Sequence, residues 1–232
     1  MPEGSVSERF NWRSYDLNTL LPKGWREQIL QLARTADARF LITGNITSRE
    51  ADPKGHLKVM GVNGERVRDE LPWLFELYKG LFRDLAQKGS VERVSIATVD
   101  RRGAVLNIQT GTDMRYEAHV DTNPIEGLLY VTSHPPGSGG ELVVSNRPDS
   151  GRGSVEEVEQ DCSIVYPCAG NLIFFDARRF NHYVRPLKNP EAIRIVVAMN
   201  FYTESSPETM RPESLDRHLA GVAPTELTKR PV

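Results

Sequence analysis

From Val91 to Tyr202 the chain is a succession of short apolar or β-branched runs, and this pattern constrains the fold more than any other feature. The runs are Val94–Val99, Ala104–Gln109, Glu117–Asp121, Gly127–Ser133, Glu141–Val144, Cys162–Tyr166, Asn171–Asp176, His182–Pro186 and Ile193–Tyr202. Turn formers separate them, in Pro135-Pro136-Gly137-Ser138-Gly139-Gly140, Arg147-Pro148-Asp149-Ser150-Gly151 and Lys188-Asn189-Pro190. Segments of this length are strands, because a helix needs a longer 3.6-residue repeat to bury one face. They follow the helical segments and do not alternate with them. A mainly β fold is therefore expected, a β-sandwich or jelly roll with helices packed outside.

The helical signals lie upstream. Trp25, Ile29, Leu32 and Ala33 fall at helical spacing, and Glu70-Leu71-Pro72 opens a second helix that runs to Lys88-Gly89. Proline is tolerated in a first turn because the N–H it lacks has no partner there. In this second helix Trp73, Leu74, Leu77, Tyr78, Leu81, Phe82 and Leu85 form one apolar face, read as core packing. Phe40–Ile46 and His56–Val62 are expected as short strands between the two helices. The first dozen residues are polar and expected to be loose. The organisation expected is a helical and short-strand extension over 1–90, a β core over 91–204 and a tail over 205–232, with room for a short helix at Glu213–Ala220.

Charge excludes some functions. With 29 basic and 31 acidic residues the net charge is -2, which gives no overall attraction to nucleic acid or an anionic membrane. The N-terminus lacks a basic and an apolar signal region, and no apolar run is long enough to span a bilayer, so a cytoplasmic protein is expected. Cys162 and Cys168 do not match zinc-knuckle spacing and are read as structural thiols.

The chemistry is expected in His119-Val120-Asp121. Strand alternation puts His119 and Asp121 on one face, where an imidazole and a carboxylate converge. His182, far downstream, lies on a strand that a jelly roll can bring alongside. Two histidines and one carboxylate leave coordination positions open, as a non-heme iron oxygenase requires. Alone, H-x-D could equally be a satisfied core pair. Arg194 changes the balance, since an arginine entering a buried strand needs an anionic partner. A guanidinium holds a carboxylate through two parallel hydrogen bonds. Arg185 is a weaker rival, because alternation turns it away from His182. His56 and His218 are read as surface residues.

Tyr116–Pro124, Ser138–Leu142, Gly170–Asp176, Arg178–Pro186 and the run from Arg194 to Tyr202 resemble, in order and spacing, one known family. This is the prolyl-4-hydroxylase-type branch of the Fe(II)/2-oxoglutarate dioxygenases, and the hypoxia-sensing prolyl hydroxylase catalytic domain is most similar. The resemblance runs from about Val94 to Tyr202. It implies a double-stranded β-helix, a cupin-like jelly roll, with iron at the open end of the barrel. It also implies that His119, Asp121 and His182 are the catalytic metal ligands and that Arg194 binds 2-oxoglutarate. Gln109 stands where the family has a cosubstrate tyrosine. A second such tyrosine aligns near Thr132, with Tyr130 two residues upstream on the same face. Tyr116 matches an aromatic on the substrate side, and His134 and Arg147 are further candidates to line the substrate.

The implied reaction consumes O₂ and 2-oxoglutarate and oxidises an unactivated C–H, releasing succinate and CO₂. The retained carboxylate of Asp121 points away from halogenation. Asn200 stands where related nucleic-acid demethylases carry a second arginine. A small-molecule substrate such as an amino acid or a natural-product intermediate is expected. A peptidyl prolyl substrate is the first alternative, and a jelly-roll binding module without catalysis is the second. Oligomeric state is not encoded in any of these features.

Overall fold

The computed structural model describes residues 5–6, 12–40, 57–114, 116–148 and 154–212, and among these the strands sort into two antiparallel sheets. The larger sheet runs in the order β1 (Ser5–Val6), β2 (Trp12–Asp16), β11 (Asn171–Phe175), β8 (Ile125–Tyr130), β13 (Ile193–Tyr202), β6 (Ala104–Thr110), β4 (Leu57–Val62), β3 (Asp37–Phe40). A short strand, β5 (Ser95–Ile96), also pairs with β13. The smaller sheet has the order β10 (Cys162–Val165), β9 (Leu142–Pro148), β12 (Phe180–Val184), β7 (Tyr116–His119).

Alternation with period two gives each strand of the larger sheet an inner and an outer face. Leu128, Tyr130, Ile173, Phe175, Val196 and Ala198 face inward and pack with Leu142, Val144, Phe180 and Val184 of the smaller sheet. Leu129, Leu172, Phe174, Val197, Met199 and Phe201 face outward, against the helices. Two sheets enclosing a shared interior, with helices on one outer face, form the expected jelly roll.

The helical layer comprises α1 (Trp25–Ala33), α2 (Gly64–Glu70), α3 (Pro72–Leu77), a π turn at Tyr78–Phe82, α4 (Arg83–Gln87), and one turn of helix, α5 (Asp100–Gly103). The apolar stripe of the second expected helix packs as core, with Leu74, Tyr78, Phe82 and Leu85 fully buried. Each such side chain contributes roughly 1.5–3 kcal/mol through burial. No helix among the described residues is long and apolar enough to cross a membrane. Cys162 and Cys168 are free thiols.

Several elements depart from expectation. The N-terminal residues contribute strands. β1 pairs with β2, and β2 adds to the larger sheet by pairing with β11. The buried Tyr15 anchors β2, with its ring 6.1 Å from that of Phe174. Of Val94–Val99 only Ser95–Ile96 is a strand. Side chains take its backbone donors instead: the Val94 N–H donates to Gln87 Oε1 and the Ala97 N–H to the Tyr78 hydroxyl. Three helices were not anticipated, the single turn α5 among them. Asn63 caps α2 by accepting the Arg66 N–H, and Ser154 and Glu157 form a reciprocal capping box at α6 (Val155–Glu159).

The turn before β9 ties the two halves of the barrel together. Its backbone exchanges hydrogen bonds with residues 185–188, including Gly140 N–H to the Arg185 carbonyl and Lys188 N–H to the Ser138 carbonyl. Gly139 has φ of 87°, and a Cβ there would lie 2.1 Å from the Pro186 carbonyl oxygen and 2.6 Å from Leu187 Cα. The left-handed conformation alone costs a non-glycine residue about 1–2 kcal/mol, and the backbone collision adds to it. Gly139→Ala is therefore expected to lower stability by more than about 2 kcal/mol. Urea unfolding reads this directly, and an unchanged midpoint would show that the turn relaxes without cost.

Candidate metal centre

His119 ends β7, Asp121 lies two residues beyond it, and His182 sits in β12 directly opposite His119 in the ladder. The cross-strand pairing brings the two rings to a centroid separation of 4.3 Å. Asp121 Oδ1 lies 3.2 Å from His119 Nε2, and Oδ2 lies 3.7 Å from His182 Nε2. One ligand atom from each of the three residues falls within 4.8 Å of the other two, so the set can hold one metal ion. The Asp121 N–H donates to the Ala177 carbonyl, which fixes the backbone just past the strand end.

The ionisation states suit a cation. His182 Nδ1 is 3.0 Å from the Phe180 carbonyl, which can only accept, so Nδ1 carries the hydrogen and Nε2 presents its lone pair toward Asp121. Burial, reinforced by His119, pushes the His182 imidazole down to about 4, so it is neutral near pH 7. Burial alone would raise the Asp121 carboxyl. The hydrogen bond from His119 and the charges of His182, His119 and Arg211 outweigh burial and hold it below the usual carboxylate range. A carboxylate facing a neutral imidazole lone pair is the protonation pattern of a metal site. Phe175 supports His182 edge-on, with ring centroids 4.9 Å apart.

Arg194 enters the same interior from the start of β13 and is 2% exposed. Its Nε donates to the Gly140 carbonyl at 2.8 Å, and its Nη1 donates to Gln109 Oε1 at 3.2 Å. Gly140 allows this approach, since a Cβ there would sit 3.1 Å from Arg194 Cδ. The guanidinium carbon lies 5.6 Å from the Tyr130 ring centroid. Arg194 Nη2 and the Tyr130 hydroxyl are both buried and interact with each other, but neither has a partner in good hydrogen-bond geometry. Among the described residues no carboxylate forms an ion pair with Arg194. A buried donor on a cation, beside a hydroxyl, both without a well-placed partner, fits a small carboxylate ligand.

Other expected residues fall in different places. Gln109 is Arg194's direct partner in the ladder and in side-chain hydrogen bonding. Thr132 Oγ1 accepts the Ile195 N–H at 3.0 Å and so fixes the strand beside Arg194. His134 was expected to line the substrate. Its Nε2 lies 3.1 Å from the carbonyl of Ile193, the residue before Arg194. Arg147 was given the same expectation, but it has the outward parity of β9. Its side chain is 72% exposed and approaches Asp161 at 3.5 Å. Arg185 does turn outward, where it pairs with Glu159 at 2.7 Å. His56, His218, the Tyr116 side chain and the expected helix at Glu213–Ala220 lie outside the described residues.

Two residues near the centre were not anticipated. Glu126 is buried at an inward position of β8, one of the few charges in that apolar run, and it accepts a hydrogen bond from Asn123 Nδ2 at 2.9 Å. Burial, and secondarily the charge of Asp121, pushes its carboxyl well above the usual range. Arg211, downstream of the barrel, donates from Nη1 to Thr122 Oγ1 at 3.1 Å.

Residues 104–202 match a family model described as the 2OG-Fe(II) oxygenase superfamily. A search of curated proteins finds no match. Among solved structures, a prolyl hydroxylase from Trichoplax adhaerens, in complex with a hypoxia-inducible factor peptide fragment, superposes with a TM-score of 0.59 at 14% identity. That match covers 87% of this chain and 88% of the hydroxylase. AviO1 from Streptomyces viridochromogenes Tue57 gives a TM-score of 0.60 at 15% identity, covering 86% and 92%. SnoK, an alpha-ketoglutarate-dependent carbocyclase from nogalamycin biosynthesis, gives 0.57 at 13%, covering 94% and 93%. Residues 104–202 are thus similar to the 2OG-Fe(II) oxygenase superfamily, and the His119–Asp121–His182 triad lies within the matched residues.

Proposed function

We propose that the chain is an Fe(II)- and 2-oxoglutarate-dependent oxygenase that hydroxylates or otherwise oxidises an unactivated C–H of a small molecule, such as an amino acid or natural-product intermediate. The observation that carries the proposal is the pairing of a buried His119–Asp121–His182 triad with a buried Arg194 whose Nη2 has no partner in good hydrogen-bond geometry. His119, Asp121 and His182 would hold the metal. Arg194, with Gln109 fixing one arm and the Tyr130 hydroxyl alongside, would hold the far carboxylate of 2-oxoglutarate. Thr132 keeps the Arg194 strand in place. Metal and cosubstrate together supply the O₂-dependent oxidising chemistry, with succinate and CO₂ as co-products.

The protein's part is to bind, orient and keep the site dry. His182 is held in the correct tautomer by Phe180, and Phe175, Val144 and Val196 line an apolar interior that excludes water. SnoK, of similar fold, comes from a biosynthetic pathway for a small molecule, and this favours a small substrate.

The test is a substrate screen with the Fe(II)-loaded protein, 2-oxoglutarate and O₂. Free amino acids, oxygenated polycyclic metabolites and a proline-containing peptide would each be assayed for succinate and by mass spectrometry. A small molecule that gains one oxygen or loses two hydrogens is the expected hit. Turnover of the peptide alone would make this a peptidyl hydroxylase. A protein that neither binds nor decarboxylates 2-oxoglutarate with any candidate would be a binding module.

A further inference from the structure

The loop that carries Asp121 continues from the end of β7. β7 is an edge strand of its sheet and ends at His119, and its register with β12 shifts next to His182. Beyond His119, the Asp121 N–H reaches Ala177, and Asn123 Nδ2 reaches the Ile125 carbonyl and Glu126. A further tether, on Thr122, comes from Arg211, across 89 residues of sequence.

The segment that delivers Arg211 is anchored along its length by parts of the chain remote from one another. Ser205 donates through its N–H and its hydroxyl to the Glu92 carboxylate, both at 2.8 Å. Arg178, in the loop before β12, donates to Ser206 Oγ at 2.7 Å. Glu208 accepts from the Thr98 N–H and lies 3.4 Å from Arg102 Nη1. These anchors draw on the turn after α4, on the α5 turn and on the loop leading to His182.

We propose that residues 203–212 are a strap that fixes the metal-ligand loop, with Arg211 as a positioning residue that holds Thr122. The strap rests on reading His119, Asp121 and His182 as the metal site. A carboxylate just beyond a strand end can swing on its backbone. Tethering the next residue restricts that swing, as outer hydrogen bonds do for ligands in other metal sites. The helical layer thereby becomes part of the metal site, because it supplies Glu92 and Thr98 to the strap.

Titration of the full chain with Co(II), followed by visible ligand-field absorption, tests this without turnover. Wild type should bind. Arg211→Ala should bind about 10- to 100-fold more weakly, the usual cost of losing an outer partner. Arg211→Lys, which keeps the charge, should recover part of the loss, and Thr122→Val should fall between wild type and Arg211→Ala. Circular dichroism confirms that each variant is folded. Wild-type affinity in folded Arg211→Ala would overturn the strap, and so would wild-type affinity in Thr122→Val if Arg211→Ala does not fold. Absence of Co(II) binding by the wild type would instead overturn the metal-site reading on which the strap rests.

Discussion

Asp121→Ala should give a folded barrel that no longer retains a divalent metal. The carboxylate is the only anionic member of the triad, and its two oxygens face the two imidazoles at 3.2 and 3.7 Å. Without it, two neutral rings 4.3 Å apart remain in an apolar setting that offers a cation little charge compensation. Losing an outer-sphere partner costs a metal site roughly 10–100-fold, so losing a ligand should cost at least about 100-fold in affinity. Cosubstrate turnover should be lost with it. Because burial already holds His182 neutral, with its pKa down at about 4, protons do not compete for its Nε2 near neutral pH. The loss therefore reports the missing carboxylate and not a retuned histidine. Metal content measured after dialysis, beside a thermal melt, checks both points. A variant that kept its metal at wild-type stoichiometry would remove Asp121 from the ligand set.

Some of this centre is legible in the sequence for a specific reason. A period of two is short and rigid, so H-x-D places both side chains on one face wherever the strand lies. The same parity separates Arg194 from Arg185: the first turns into the barrel, and the second turns out to Glu159. Residues whose placement depends on tertiary docking are a different matter. Arg211 meets Thr122 on a segment that also bonds to Glu92, Thr98 and Arg178, residues far from it in sequence. Neither periodicity nor spacing encodes those contacts. His134 illustrates the same limit, since a loop histidine can serve either end of a barrel until the fold of the loop is known.

Other features were written in the sequence but outweighed by stronger signals. Ser154-Val155-Glu156-Glu157 is a capping box within a segment whose flanking turn residues suggested only loop. Glu126 is a charge at an inward position of an apolar run, which is itself a functional signal. β5 fell short of its expected length for a reason that no local pattern contains. Its neighbouring backbone donors are satisfied by the Gln87 and Tyr78 side chains, which approach from the helical layer.

Arg194→Met is expected to move stability and function in opposite directions, and this makes it the sharper probe of the site. In the ligand-free protein the guanidinium is buried with only neutral oxygens as partners, from Gly140 and Gln109, and its Nη2 has no partner in good hydrogen-bond geometry. Burial drives its pKa down, the mark of a charge held at a cost. Replacing such a charge with an apolar side chain of similar length is often stabilising, by about 1–4 kcal/mol. The ligand-free variant should therefore melt at a higher temperature than wild type. Binding should show the reverse. Truncating one partner of a buried, hydrogen-bonded charge pair costs about 2–5 kcal/mol, or roughly thirtyfold to several thousandfold in 2-oxoglutarate affinity. 2-Oxoglutarate should thus raise the melting temperature of wild type in the presence of metal and leave that of the variant unchanged. Metal binding should survive in both, since Arg194 is not among the three ligating residues. Calorimetric titration with 2-oxoglutarate, paired with thermal melts, separates the outcomes. Retained 2-oxoglutarate affinity in Arg194→Met would show that the cosubstrate carboxylate is held elsewhere, whereas loss of affinity with a lowered melting temperature would mark Arg194 as a structural residue of the core.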